Sequence, residues 1–70
     1  MKHYKIELLD GDKNGAIRYY ETLGVATREA KRYIKRVIKN YPSDNPCVYI
    51  YFLDDNFKSQ EIAILDESNI

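Results

Sequence analysis

Oxygen-bearing side chains recur at every second position from Asp10 through Asp12 to Asn14, and Glu21 follows seven residues later. Joined by the Ala16 carbonyl and a bidentate Glu21, these carboxylate and amide oxygens form a ligand set for a hard cation such as calcium. The same residue types also reverse a chain, because Asp, Asn and Gly bond the local backbone and accept positive φ, in which case Glu21 is an ordinary exposed strand residue. Groups for covalent chemistry are sparse. His3, the only histidine, reads as a solvent-facing strand residue near the terminus. Cys47, the only cysteine, has no histidine or basic cluster beside it to favour the thiolate, so it reads as a buried and inert thiol. Asp54 and Asp55, followed by Asn56, read as turn formers. No phosphate-binding glycine loop, zinc spacing or nucleophile elbow occurs, and 70 residues leave little room for a substrate pocket. The expectation is a protein that performs no catalysis.

Taken together, Asp10-Gly11-Asp12-Lys13-Asn14-Gly15-Ala16-Ile17-Arg18-Tyr19-Tyr20-Glu21 resembles the EF-hand calcium loop, with Asp, Asp and Asn at its first, third and fifth positions, Gly at the sixth and Glu at the twelfth. Ile17 falls at the eighth, where that family usually carries an aliphatic residue. The resemblance implies calcium held by Asp10, Asp12, Asn14, the Ala16 carbonyl and Glu21. It covers twelve residues and departs at both flanks, where an EF-hand has helices: the preceding segment alternates like a strand, and Gly24 lies just beyond.

A second chemistry is electrostatic. Arg28, Lys31, Arg32, Lys35, Arg36 and Lys39 fall on one arc of a helix at 100° per residue, with no acidic residue among them. The pairs Arg28/Arg32, Arg32/Arg36, Lys31/Lys35 and Lys35/Lys39 are like charges four residues apart, each costing about 0.2–0.5 kcal/mol at low salt. An anionic partner relieves that repulsion. Eleven basic and eleven acidic residues cancel overall, yet residues 1–42 carry ten cations against five anions and residues 43–70 one cation against six anions. The acidic half is therefore the alternative neutraliser, leaving the arc a solvated face. A third surface is a sheet face on which alternation sets Tyr20, Tyr49 and Tyr51 beside Lys5 and Arg18. Aromatic and basic side chains of this kind stack nucleic-acid bases or build protein interfaces, although the RNP-type signature is absent.

These groups must be positioned by few elements. Residues 2–9 alternate, with Tyr4, Ile6 and Leu8 on one side and His3, Lys5 and Glu7 on the other, and predict a strand. Residues 10–15 predict a turn, and residues 16–22 a returning strand. Ala30, Tyr33, Ile34, Val37, Ile38 and Tyr41 make one apolar stripe that predicts a helix over 27–41, capped by Thr27, with Glu29 and Lys39 complementing the dipole at its two ends. Pro42 stops it. Cys47 to Leu53 is apolar on both faces and predicts a central strand. Residues 60–65 predict the last strand, Ile62 and Ile64 turned inward, followed by a frayed tail over 66–70. The order ββαββ implies an α+β fold in one domain, residues 1–70: a four-stranded, largely antiparallel sheet with one amphipathic helix on one face.

Composition narrows the function. At 44% apolar and 31% charged residues the chain is neither disordered nor membrane-spanning, its longest apolar run being the seven residues from Cys47 to Leu53 where a spanning helix needs about twenty. A charged N-terminus without a signal peptide and a lone cysteine imply a cytoplasmic location. Ile, Lys, Asn and Tyr, which use AT-rich codons, make up 27 of the 70 residues and suggest an AT-rich bacterium, plasmid or phage. The leading expectation is a protein-binding or regulatory module, such as a phage or mobile-element inhibitor, that engages an acidic protein surface. Nucleic-acid binding and calcium binding are the alternatives, and a homodimer is a remedy for the thin core that one helix on four strands provides. The calcium reading predicts heat in a calorimetric titration and a thermal shift at millimolar calcium; the absence of both removes it.

Overall fold

The computed structural model describes residues 2–10 and 13–70, and of residues 10, 13 and 14 the backbone only. Strands β1 (Tyr4–Asp10) and β2 (Lys13–Tyr20) are followed by helix α1 (Leu23–Asn40), strands β3 (Cys47–Leu53) and β4 (Ser59–Asp66), and a 3-10 turn (Glu67–Asn69). The sheet has the order β2-β1-β3-β4 and every neighbouring pair is antiparallel. Because β1 lies between them, β2 and β3 run parallel to each other, and α1 is the crossover that joins them across one face. The expected α+β architecture, with one helix on a four-stranded sheet, is the observed one.

Alternation places Ile6 and Leu8 of β1 and Val48 and Ile50 of β3 beneath the helix, where all four are buried. Ala26, Ala30, Ile34 and Val37 meet them from α1. Ala26 and Ala30 have no exposed surface, and their small side chains bring the helix axis close to the central strands. Tyr4, Tyr20, Tyr33, Ile38, Ala63 and Leu65 pack around this centre.

The helix starts four residues before the expected position. Thr22, not Thr27, is its N-cap: its backbone is extended and its hydroxyl accepts the Val25 N–H at 3.2 Å. Gly24 sits harmlessly in the first turn, so the apolar stripe reaches back to Ala26. Glu29 is consequently beyond the first turn, which contains no acidic residue, and it pairs with arginine instead. The C-terminus ends as expected before Pro42, with the Tyr41 N–H bonded to the Val37 carbonyl at 2.7 Å. Tyr41 itself is exposed and does not extend the stripe.

Two irregularities redirect side chains. On β4, Ala63 faces Ile50 and Glu61 faces Tyr51, so Ile62 is an extra residue in the ladder, a β-bulge. The expected inward pair Ile62 and Ile64 is thereby corrected: Ala63 and Leu65 lie on the helix side, whereas Ile62 and Ile64 are exposed. On β2, two residues, Gly15 and Ala16, oppose the single Leu8. A Cβ on Gly15 would collide with the Leu8 carbonyl oxygen, so the bulge requires a residue without a side chain.

Residues near both ends of the described chain are tied down. The expected solvent-facing His3 is half-buried; its Nδ1 donates to the Leu53 carbonyl at 3.0 Å and its ring stacks on Phe52 at 5.9 Å. The expected frayed tail is a capped turn, in which the Asp66 carboxylate accepts from the Ser68 N–H at 2.8 Å and the Ser68 hydroxyl at 2.6 Å, while the Asn69 side chain accepts the Asp66 N–H at 2.8 Å. These bonds hold the Asp66 carboxyl below its ordinary range. Gly15→Ala is expected to destabilise the protein by at least about 2 kcal/mol, lowering Tm by roughly 10 °C in a thermal melt.

Candidate functional site

The packing of α1 dictates where its charges go. With Ala26, Ala30, Ile34 and Val37 turned to the sheet, Arg28, Lys31, Arg32, Lys35, Arg36 and Lys39 are all exposed on the opposite arc, as expected. Glu29 lies at the arc's flank, 3.3 Å from Arg32 Nη1 and 4.0 Å from Arg28 Nε. Even so, the Arg28 and Arg32 side chains remain 67% and 74% exposed, so Glu29 offsets their charge only weakly. Among the described residues Lys31, Lys35, Arg36 and Lys39 form no ion pair. The acidic second half of the chain does not supply one. Asp54 is engaged in its own turn, accepting the Asn56 and Lys58 N–H groups at 2.9 Å each, and Asp66 caps the C-terminal turn.

Arg18 joins this surface rather than the sheet face on which alternation from the sequence had set it. It pairs with Ile6 across the β1–β2 ladder and so lies on the helix side. Together with Glu29, Arg32, Tyr33, Lys35 and Arg36 it lines a groove of about 300 Å³ between β2 and α1. The groove presents planar guanidinium groups, which suit bidentate contact with carboxylates or phosphates.

Among the described residues no helix covers the far side of the sheet. Tyr49 and Tyr51 face it, as expected, with ring centroids 6.5 Å apart, and the Lys5 ammonium stands 4.5 Å from the Tyr51 centroid. Burial, together with the nearby carboxylates of Glu7 and Glu61, pushes the Tyr51 phenol up. Tyr20 is not there. It pairs with Tyr4 and packs against the core, and its neighbour Tyr19, opposite Lys5, takes the open side. Ile17 and Tyr19, opposite Glu7 and Lys5, and Ile64, opposite Tyr49, exposed by 52, 48 and 44%, complete this face. None of the three was expected on it; adjacent tyrosines give alternation no preference between them, and the register that decides passes through a bulge. Phe57 is a further exposed aromatic, held at φ 61° in the β3–β4 turn.

Of the residues singled out for calcium, Asp12 lies outside the described residues, as do the side chains of Asp10 and Asn14. On either side of Asp12, β1 and β2 are paired, Asp10 with Lys13 and Leu9 with Asn14. Ala16 is in β2, and Glu21 follows its far end, roughly 20 Å from Asn14 at the rise of a strand. The described part of the structure does not bring Glu21 to Asn14.

Cys47 opens β3 beside a cleft lined by Asn45, Pro46, Asp66, Glu67 and Ser68. Burial first, then the carboxylates of Asp66 and Glu7, push its thiol up. Its thiolate fraction at neutral pH is below that of a free cysteine, so iodoacetamide is expected to alkylate it more slowly than an unstructured cysteine peptide, with the rate still rising above the pH at which the peptide's has levelled off. Among the described residues no helix is long and apolar enough to cross a membrane. Comparison with known proteins finds no matching family, no matching curated protein and no matching solved structure.

Proposed function

We propose that this chain is a small non-enzymatic interaction module of the cytoplasm, which binds the acidic surface of a protein partner through the outer face of α1. The observation that carries this reading is the cationic arc from Arg28 to Lys39, exposed along its length and offset by Glu29 alone among the described residues. The like charges repel one another at a cost of roughly 1–2 kcal/mol, which a partner's carboxylates would recover as binding energy. Non-catalytic action is supported by the engagement of His3 with Leu53 and Phe52 and by the raised thiol of Cys47. The AT-rich composition supports a regulator or inhibitor carried by a phage or mobile element.

Nucleic acid is the second reading, favoured by the groove of Arg18, Arg32, Arg36 and Tyr33. Guanidinium groups contact phosphates and a phenol can stack on a base. A protein partner is preferred because a net charge of zero gives no long-range attraction to a polyanion such as DNA or RNA.

A pull-down from the native host at low and high salt identifies the partner, and the variant Arg32→Glu/Lys35→Glu is expected to weaken its binding at least about tenfold. Undiminished binding overturns the helix as the contact surface. Steeply salt-dependent binding to DNA or RNA in place of a protein establishes the second reading. Lys35→Glu alone converts two repulsive pairs into attractive ones, so it is expected to raise stability by about 1 kcal/mol at low salt, a gain that shrinks as salt is added.

A further inference from the structure

We propose that the open face of the sheet is the contact surface of a two-fold homodimer, each copy's sheet covering the other's. The face has the composition of an interface. Ile17 and Tyr19 from β2, Tyr49 and Tyr51 from β3, and Ile64 from β4 spread apolar and aromatic surface over its whole width, and Tyr and aliphatic groups of this kind make up the cores of homodimer contacts.

Its charges select a second copy of this chain as the occupant. Lys5 and Glu7 stand two residues apart on the central strand β1, with their Cβ atoms on this side of the sheet. A two-fold axis lying between the two sheets, perpendicular to β1 and level with Ile6, sets Lys5 of each copy against Glu7 of the other, so both charges are matched twice by one operation. Nucleic acid fits less well, because Glu7 and Glu61 share the face with the tyrosines and oppose phosphates. Two neutral chains do not repel each other overall. Four strands at their usual spacing and rise present on the order of 500 Å² per copy, about 1,000 Å² for the pair, which is where specific interfaces begin. Both α1 helices then point outward on opposite sides of a four-layer α/β/β/α assembly. The inference stands apart from the helix reading, which uses the other face.

The test is sedimentation of the full chain from about 5 to 500 µM, a range that brackets the affinity of a minimal interface. The expected result is a concentration-dependent shift from 8.3 kDa to twice that mass. Ile64→Lys is expected to weaken dimerisation at least about tenfold, while dilute samples keep the wild-type circular dichroism and Tm because that side chain lies outside the core. Glu7→Lys is expected to weaken it as well, and the swap Lys5→Glu/Glu7→Lys to restore it, a rescue that only a two-fold pairing of these positions produces. A strict monomer at the highest concentration overturns the proposal, whether another protein, nucleic acid or only water then covers the face. So does a dimer indifferent to Ile64→Lys and Glu7→Lys, which would be built on another surface.

Discussion

The structure depends on the seating of one helix across two central strands. Ile6, Leu8, Val48 and Ile50 from below and Ala26, Ala30, Ile34 and Val37 from above are the packed interior, and burying each large aliphatic side chain among them is worth about 1.5–3 kcal/mol. A chain of this length has no second layer to share the load. The alanines matter as much as the large residues, since a bulkier side chain at Ala26 or Ala30 would lift the helix from the sheet and open gaps along the whole contact.

That seating also decides the electrostatics. Once the alanine and isoleucine stripe is pressed inward, the helical period leaves the six cations no place but water. The Asp54 and Asp66 carboxylates are used locally, in a turn and a cap, where they stabilise loops and leave the helix charge standing. A neutral composition therefore coexists with a strongly positive surface, and the positive surface faces away from the sheet's uncovered side. The two surfaces can be engaged independently.

The parts legible in the sequence are those set by local periodicity. The amphipathic stripe and the cationic arc of α1 share one period and were both readable, as were the Pro42 stop and the limits of β3. Thr27 and Thr22 are equally good caps by residue type, and only the packing of Ala26 chooses between them. The order β2-β1-β3-β4 depends on pairings distant in sequence, which alternation does not encode. The phases of β2 and β4 were misread for a related reason: a bulge shifts every side chain beyond it to the other face, and it leaves almost no mark in residue pattern. Gly15 was the single visible mark. Placing Arg18 in the groove and Tyr19 on the sheet required the register as well as the alternation.

Both outer strands contain such a bulge, at Gly15-Ala16 in β2 and at Ile62 in β4. An unbroken rim would offer its amide and carbonyl groups as a template for another chain, and a succession of such additions is the route to fibrils. Here the hydrogen-bonding rhythm of each rim is interrupted midway, so an incoming strand cannot stay in step along its full length. The bulges that break these rims thus also work against the open-ended addition of strands.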